Sequence, residues 1–256
     1  MPTKRELYNY LDSIIPRALS CEWDNDGLMC CSHPDDEVKK VLFTLDITPA
    51  AIEYAADNGF DTIISHHPLI FKGYKSLNTD AGIPKRLIVL IEKRITAMSF
   101  HTRLDAVTGG VNDALAEALE LSDTSVFGES DQAMGRIGYL PFEMDADSLA
   151  EYIKGKLGAP WVNYNGTGNK IKLLAVLGGA GEDEIGMAAD AGADAYLTGE
   201  LGYHALTDAR DCGITLFEAG HYHTEFPVLS KLEQTVKAKY PEVDTELFKS
   251  FDTKTV

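Results

Sequence analysis

Two stretches of the chain repeat one another at an offset of 133 residues, and this repeat limits the possible folds more than any other feature of the sequence. Residues 55–65 read AADNGFDTIIS, and residues 188–198 read AADAGADAYLT. Each copy predicts a helix that ends at a glycine, Gly59 or Gly192, followed by an aspartate that leads into a strand. The flanking segments VLFTLD and LLAVLG, and further on ITAMSFH and ITLFEAGH, match in the same order. The repeat predicts two related α/β halves.

Short β-branched and aliphatic runs alternate with helical patterns along most of the chain, which is typical of α/β layers. Six runs predict buried strands at 41–45, 62–64, 95–100, 171–177, 195–197 and 214–217. Helical periodicity predicts helices at 49–57, 84–93, 110–120, 148–157, 183–190 and 225–239, and an amphipathic helix at the N-terminus. We therefore predict an α/β fold made of two related domains.

We place the boundary between the halves after residue 125. Residues 1–125 then form the first α/β half, and residues 126–256 form the second. Residues 135–168 have no counterpart in the first half, so they predict an inserted elaboration. Because no linker rich in proline, glycine or serine separates the halves, we expect them to pack closely.

The charge and the apolar runs exclude several classes of protein. Forty acidic residues against 23 basic ones give a net charge of −17, which argues against a broad nucleic-acid or anionic-membrane surface but leaves room for a small anionic substrate. The best apolar run, Leu87 to Ile91, is far shorter than a membrane span. The four cysteines show no paired spacing, which favours a reducing, cytoplasmic compartment.

Six of the seven histidines lie in or beside the ends of predicted strands. In open α/β sheets, ligands bind beyond the carboxyl ends of the strands, so these histidines mark the candidate site. Two of them are followed at the fourth residue by a carboxylate, which places both groups on one face if a helix begins there. The residues of this pattern are His66, His67, His101 with Asp105, His204, His221 with Glu225, and His223.

The repetition of these pairs predicts metal binding. A single histidine at a strand end is most often a hydrogen-bonded loop residue, so no one histidine carries the prediction. Mixed imidazole and carboxylate ligands suit zinc, iron, manganese, cobalt or nickel better than calcium. Five such ligands exceed the needs of one tetrahedral ion, and a carboxylate can bridge two ions, so we expect two divalent metal ions per protomer.

Five segments of the sequence resemble the NIF-three-like family, whose bacterial members carry the name GTP cyclohydrolase I type 2 homologue. The resemblance runs nearly end to end, and its motifs are CEWDNDGL, ISHHPLIF, FHTRLDAVTGGVNDALAEAL, DAYLTGELGYH and EAGHYHTEF. It implies a protomer of two α/β domains around an interdomain dinuclear metal site, and a homo-oligomer in the form of a toroidal hexamer.

The resemblance also implies roles for single residues. The metal ligands would be His66, His67, Asp105, His221 and Glu225, with Glu225 as the bridge. His101 and His204 occupy motif positions near the site, so we treat them as candidate catalytic residues that transfer protons. Glu200 is a weaker candidate. Trp23 and Asn25 recur in the early motif, where a turn packed on its domain explains them equally well.

These observations favour a dinuclear metal-dependent hydrolase that acts on a small phosphorylated or nucleotide-like substrate. Ring opening of GTP rests on the name of the family alone. The alternative is a metal-binding scaffold or regulatory interaction protein without turnover, and a third reading is a structural metal that joins two domains. The segment LGGAG at 177–181 resembles a phosphate loop, but the acidic residues 182–184 that follow it would repel a phosphate.

Overall fold

Strands and helices alternate along the computed structural model, which describes residues 1–80, 82–128, 133–206 and 213–250. The described residues divide into two units, Met1–Leu104 with 229–250, and Asp105–Val228. Each unit contains one β-sheet with helices packed against it. The α/β class predicted from the sequence is therefore confirmed.

The elements have the following bounds. The strands are β1 Gly27–Cys30, β2 Lys40–Thr44, β3 Thr62–Ser65, β4 Thr96–Ser99, β5 Ser122–Phe127, β6 Gly135–Met144, β7 Asn163–Asn165, β8 Ile171–Ala180, β9 Ala195–Glu200, β10 Thr215–Glu218 and β11 Asp244–Leu247. The helices are α1 Lys4–Ile14, α2 Pro49–Asp57, α3 Gly82–Glu92, α4 Thr102–Ala106, α5 Val111–Ala118, α6 Ala146–Leu157, α7 Ile185–Asp190, α8 His221–Glu225 and α9 Pro227–Lys239.

The sheet of the first unit has the strand order β1-β4-β3-β2-β11. Its inner pairs β2–β3 and β3–β4 are parallel, and β11 also joins β2 in parallel, whereas β1 is antiparallel to β4. Every residue of β3 and β4 is buried, which explains why both strands are continuous runs of apolar and small residues. Because β2, β3 and β4 run in one direction, their carboxyl ends lie at the same edge of the sheet.

The sheet of the second unit has the order β5-β6-β8-β9-β10-β7. Its parallel centre is β8–β9–β10, and the antiparallel strands β5, β6 and β7 extend it on both sides. The carboxyl ends of β8, β9 and β10 therefore also lie at one edge of their sheet.

Equivalent hydrogen bonds in the two sheets bear out the internal repeat. The carboxylate of Asp61 accepts hydrogen bonds from the main-chain nitrogens of Lys39 and Lys40, at 2.7 and 3.2 Å. The carboxylate of Asp194 does the same for Lys172 and Leu173, at 2.9 and 2.8 Å. Each aspartate thus holds the first residues of the neighbouring parallel strand, so β2–β3–β4 corresponds to β8–β9–β10.

The glycines of the repeat end their helices as the sequence predicts. Gly59 follows α2 with a φ of 73°, and Gly192 follows α7 with a φ of 83°. Glycine adopts this left-handed conformation without strain, which lets the chain leave the helix and enter the next strand. At the start of α2, Thr48 accepts a hydrogen bond from the nitrogen of Ala51, and Pro49 is the first helical residue, again as expected.

Hydrophobic periodicity missed five strands, β1, β5, β6, β7 and β11. The first five residues of β5 are exposed, and β11 has no buried residue, so neither shows the apolar pattern of a buried strand. The predicted helix 225–239 is two helices, because Pro227 starts α9 after α8 has ended at Glu225. The predicted helix 183–190 begins as a 3₁₀ turn over Glu182–Glu184.

The two compact units do not have the same bounds as the two halves of the sequence repeat. The last helix and β11 return to the first unit, where β11 pairs with β2. The predicted elaboration at 135–168 supplies β6, α6 and β7, and both strands belong to the second sheet. The repeat boundary after residue 125 stays a prediction. None of the helices in the described ranges combines the length and the apolarity that a membrane-spanning segment needs.

Candidate metal centre

Three histidines lie together at the carboxyl edge of the first sheet. His66 and His67 follow β3, and His101 follows β4 after one intervening residue. Ser65 and Ser99, the last residues of the two strands, are paired in register, so the segments that follow them leave the sheet side by side. The ring nitrogens of the three histidines come within 4.8 Å of one another, close enough to ligate one ion.

Hydrogen bonds to oxygen atoms orient the two adjacent histidines. The Nδ1 atom of His66 lies 2.9 Å from the carbonyl oxygen of Phe100, and Nδ1 of His67 lies 3.0 Å from a carboxylate oxygen of Asp46. Both oxygens are acceptors, so in the neutral rings the proton belongs on Nδ1 and the lone pair on Nε2. This arrangement is typical of histidines that bind metal through Nε2.

His101 is held by a buried carboxylate. Its Nδ1 atom lies 2.9 Å from Oδ1 of Asp24, whose side chain is fully buried. The other oxygen of Asp24 accepts hydrogen bonds from the main-chain nitrogen and the hydroxyl of Thr102, at 3.1 and 2.7 Å. Burial raises the pKa of Asp24, but the hydrogen bonds from His101 and Thr102 outweigh it and lower that pKa to about 2. Asp24 is therefore ionised at neutral pH.

A buried ion pair fixes the turn that carries His101. The guanidinium of Arg103 and the carboxylate of Asp26 are both fully buried, with Nε 2.8 Å from Oδ2. The same oxygen accepts a hydrogen bond from the main-chain nitrogen of His101 at 3.2 Å. Arg103 also donates to Asp12 at 2.6 Å and to the carbonyl oxygen of Ile15 at 2.9 Å. A buried arginine with this many acceptors holds its neighbours in one arrangement.

The second unit forms a donor set of its own at the carboxyl edge of its sheet. His221 begins α8, and its Nε2 atom lies 3.0 Å from Oε1 of Glu225, one helical turn later. Its Nδ1 atom lies 2.9 Å from a carboxylate oxygen of Glu200, the last residue of β9. The predicted spacing of four residues does place His221 and Glu225 on one face of a helix.

Glycines on β8 and β9 give α8 room to approach the sheet. A Cβ atom at Gly179 would lie 2.4 Å from Oε1 of Glu225, and one at Gly199 would lie 2.7 Å from Cα of His221. The nitrogen of Gly179 also donates to the hydroxyl of Thr224 at 3.1 Å. The glycine-rich segment that resembled a phosphate loop thus lies against the His221–Glu225 pair.

The structure places the other predicted residues as follows. Asp105 lies in α4, and its main-chain oxygen accepts a hydrogen bond from Asn112 at 3.1 Å, so its role as a ligand stays a prediction. His204 is exposed, contacts the ring of Tyr203, and belongs to neither donor set described above. Burial lowers the pKa of His223, which keeps its ring neutral near pH 7.

The sequence prediction missed the three aspartates that orient the histidine turns. Asp46 follows the predicted strand 41–45, so the strand-end rule that selected the histidines would also have selected it. Asp24 and Asp26 precede β1, which the apolar pattern did not reveal, and only the folded chain brings them to His101 and Arg103.

Comparison with known proteins identifies the family. The sequence matches the Duf34/NIF3 (NGG1p interacting factor 3) family over residues 2–254. The chain belongs to the DUF34/NIF3 family. It is 33% identical over 254 residues to the GTP cyclohydrolase 1 type 2 homolog of Clostridium perfringens, with 97% of this chain and 96% of that protein covered. It is 32% identical over 234 residues to the protein of the same name from Methanocaldococcus jannaschii, with 90% and 93% covered.

Two solved structures share the fold of this chain. A Bacillus cereus protein related to NIF3 superposes with a TM-score of 0.88 at 25% identity, with 100% of this chain and 99% of that chain covered. Reduced HcgD from Methanocaldococcus jannaschii superposes with a TM-score of 0.83 at 28% identity, with 98% of both chains covered. The NIF-three-like fold predicted from the motifs is confirmed.

The donor atoms of this DUF34/NIF3 protein fit a divalent transition metal. In four histidines, Nδ1 is hydrogen-bonded to an oxygen, which leaves Nε2 of the ring available to bind metal. These are His66, His67, His101 and His221. In the second unit, Nε2 of His221 lies 3.0 Å from Oε1 of Glu225, so the two atoms share a hydrogen bond that a metal ion would replace on binding.

Adding a methyl group at the glycines beside α8 tests their role. Gly199→Ala places Cβ 2.6 Å from the carbonyl oxygen of Gly179, and because backbone atoms cannot move aside locally, we expect a loss of about 1–3 kcal/mol in the free energy of unfolding. Gly179→Ala forces Glu225 away and strains a residue with a φ of 72°, so we expect weaker metal binding in a protein that still folds. Denaturant unfolding and metal analysis measure both effects.

The control for these variants is Gly186→Ala in α7, where Cβ meets nothing within 4 Å. We expect this variant to gain up to about 1 kcal/mol, because alanine is a better helix former than glycine. Equal effects of all three substitutions would contradict the packing role of Gly179 and Gly199.

The Asp24 carboxylate predicts an acid dependence of stability in the metal-free protein. Its pKa is about 2 in the folded state, below the value of ~3.9 in an unfolded chain, so its contribution to the free energy of unfolding is complete above about pH 4 and is lost as the pH falls toward 2. Asp24→Asn should therefore lose about 2 kcal/mol of unfolding free energy at pH 7 and progressively less below pH 4. Urea unfolding between pH 3 and 7 measures this profile. Asp35→Asn, on an exposed side chain, should follow the wild type at every pH; a constant deficit for Asp24→Asn would contradict the assignment.

Proposed function

We propose that this protein is a metal-dependent hydrolase that acts on a small phosphorylated or nucleotide-like substrate. The observation that carries the proposal is the anchoring of four histidines at strand ends, each through Nδ1 to an oxygen acceptor. Structural histidines need no common tautomer, whereas metal-binding histidines need Nε2 in its lone-pair form. Relatives named GTP cyclohydrolase 1 type 2 homolog support a hydrolytic reaction.

Four of the proposed ligands come from the two donor sets, and the resemblance to the family adds Asp105 and assigns all five to one dinuclear centre. They are His66, His67, Asp105, His221 and Glu225, with Glu225 as the bridging residue. Two divalent ions, when bound, would attract an anionic substrate to a protein of net charge −17 and would lower the pKa of a bound water toward ~7, which makes hydroxide available at neutral pH.

The Asp24–His101 pair is the proposed proton carrier. The carboxylate of Asp24 keeps a proton on Nδ1 of His101 and fixes the ring, so proton exchange with a substrate takes place at Nε2. The rings of His66 and His67 lie 5.3 and 5.7 Å from the ring of His101, which brings this proton site beside two of the proposed metal ligands. His204 remains a proposed second proton carrier.

For GTP as substrate, the proposed reaction is hydrolytic opening of the imidazole ring at C8, with His101 transferring protons. This narrower assignment is supported by the names of the relatives alone.

A second candidate function is a metal-binding interaction protein without turnover. The family description, NGG1p interacting factor 3, names a partner instead of a reaction. Such a protein would use the same ligands to bind metal and would lack an accessible coordination position for substrate.

Metal content and turnover together separate the two functions. In protein purified without added metal, we expect about two ions per chain, and a clear loss in His66→Ala and in Glu225→Ala, because each removes a ligand. His33→Ala, which changes a histidine in a loop outside the strand-end pattern, should keep the wild-type content. Mass spectrometry counts the ions, and a panel of nucleotides and phosphate esters tests turnover, which should stop in Asp105→Ala.

Absence of stoichiometric metal, even after reconstitution, would contradict the hydrolase mechanism. Full metal content without turnover of any substrate would favour the interaction protein. Unfolding on chelation would indicate a structural metal.

We also propose that copies of the chain assemble in the cytoplasm as the toroidal hexamer that the family resemblance implies. Exposed apolar side chains on β5 and β6 support an interface there: Val126 is 55% exposed, Tyr139 44% and Phe142 59%. β5 is also an edge strand of its sheet, and such edges pair readily with other chains.

Placing a charge at one of these exposed apolar side chains tests the assembly. We expect native mass spectrometry to give the mass of six chains for the wild type and smaller assemblies for Phe142→Asp, because burying an unpaired carboxylate is costly. Ser148→Asp, on an exposed turn of α6, serves as the control. A monomeric wild type would contradict the proposal.

A further inference from the structure

An exposed tryptophan stands beside the histidine set of the first unit. Trp23 is 63% exposed, although tryptophan side chains are mostly buried in folded proteins. Phe71, in the segment that follows His67, is 44% exposed. Two large aromatic side chains thus lie in solvent next to residues of the proposed reaction site, and adjacent exposed aromatic side chains are typical of a binding surface.

The loop that carries Trp23 is firmly held. The residue after Trp23 is Asp24, whose buried carboxylate is bonded to His101 and Thr102. Next in the chain, the side-chain amide of Asn25 donates to the carbonyl oxygen of Ile70, the residue before Phe71. Trp23 is therefore exposed on an anchored turn, and a ligand that stacks on it would not have to order a mobile loop.

The rings of Trp23, Phe71 and His101 form a triangle. The centroid of Trp23 lies 6.0 Å from that of Phe71 and 6.1 Å from that of His101, and Phe71 lies 6.5 Å from His101. The rings are inclined to one another by 59–82°, so they do not cover each other face to face. The solvent-facing parts of Trp23 and Phe71 stay available to a planar ligand.

Two exposed lysines close to Phe71 in the chain offer contacts to an anionic ligand. In a chain of net charge −17, Phe71 is followed at once by Lys72, and Lys75 comes three residues later; both lysines are exposed. Lysines attract phosphate groups and repel cations, which argues against a quaternary ammonium ligand of the aromatic rings. A molecule with a planar ring and a phosphate matches both properties.

We propose that Trp23 and Phe71 form the platform on which the planar base of a nucleotide stacks, next to the Nε2 atom of His101. This inference rests on the proposed function, because it names the substrate class of the same site. It makes Trp23 and Phe71 residues that determine specificity: they select a heteroaromatic ring, while the lysines and the metal ligands contact the phosphate groups. Stacking is tolerant of base identity, so the platform distinguishes nucleotides from sugar phosphates more strongly than one base from another.

Fluorescence of Trp23 tests the platform directly. The chain has two tryptophans, so Trp161→Phe leaves Trp23 as the sole reporter in otherwise intact, metal-loaded protein. We expect guanosine monophosphate to quench Trp23 in a saturable way, and ribose 5-phosphate, which has the phosphate but no base, to leave its emission unchanged. Calorimetry should give a rise of at least about fivefold in the Kd of guanosine monophosphate for Trp23→Leu, and a smaller rise for Trp23→Phe, which keeps a ring.

Three results would overturn the platform. The first is equal binding of guanosine monophosphate and ribose 5-phosphate. The second is an unchanged Kd of guanosine monophosphate in Trp23→Leu with unchanged circular dichroism. The third is failure of iodide to quench Trp23 in the native assembly, which would mean that another copy of the chain covers it.

The platform and the hydrolase fail in different ways. Turnover of a phosphate ester without a base, at equal rates in wild type and Trp23→Leu, would support the hydrolase. If guanosine monophosphate also binds wild type and Trp23→Leu equally, the platform would be overturned. Binding of guanosine monophosphate that depends on Trp23, without turnover of any substrate, would support the platform and contradict the hydrolase.

Discussion

Parallel pairing of neighbouring strands determines where the chemistry of this protein lies. Because β3 and β4 run side by side with Ser65 opposite Ser99, the chain must place His66, His67 and His101 at one edge of the first sheet. The same topology recurs in β8, β9 and β10, where it places Glu200 beside His221. At the opposite ends of the strands, Asp61 and Asp194 accept hydrogen bonds from the main chain. The strands that carry each donor set are therefore held at both ends.

Orientation of the imidazole rings turns these strand ends into a candidate metal centre. Three carboxylates accept a hydrogen bond from Nδ1 of a histidine: Asp24 from His101, Asp46 from His67 and Glu200 from His221. The carbonyl oxygen of Phe100 does the same for His66. The cost of holding Asp24 away from water is offset by its hydrogen bonds, which keep it ionised. The buried Arg103–Asp26 pair belongs to the same arrangement, since it fixes the main chain of His101.

The parts of the structure that follow from local rules were predictable from the sequence, and those that need long-range contacts were not. The helix Pro49–Asp57 was placed to the residue, because a threonine cap, a proline and a terminal glycine all lie within its own segment. His66 and His221 were selected by their positions after apolar strands. Strand β11 was missed because its half-buried residues carry no apolar pattern, and its pairing partner β2 lies 204 residues away in sequence. Asp24 was not selected, because nothing local shows that its partner is His101.

We expect metal to bind through Nε2 of His66 and His67 while their Nδ1 atoms keep their hydrogen bonds to Phe100 and Asp46. Crystals of the metal-loaded protein, measured at the absorption edge of the bound metal, test this claim. We expect anomalous density within about 2.0–2.2 Å of both Nε2 atoms, with both Nδ1 hydrogen bonds intact. Ligation through Nδ1, or metal bound elsewhere with these histidines still hydrogen-bonded, would contradict it.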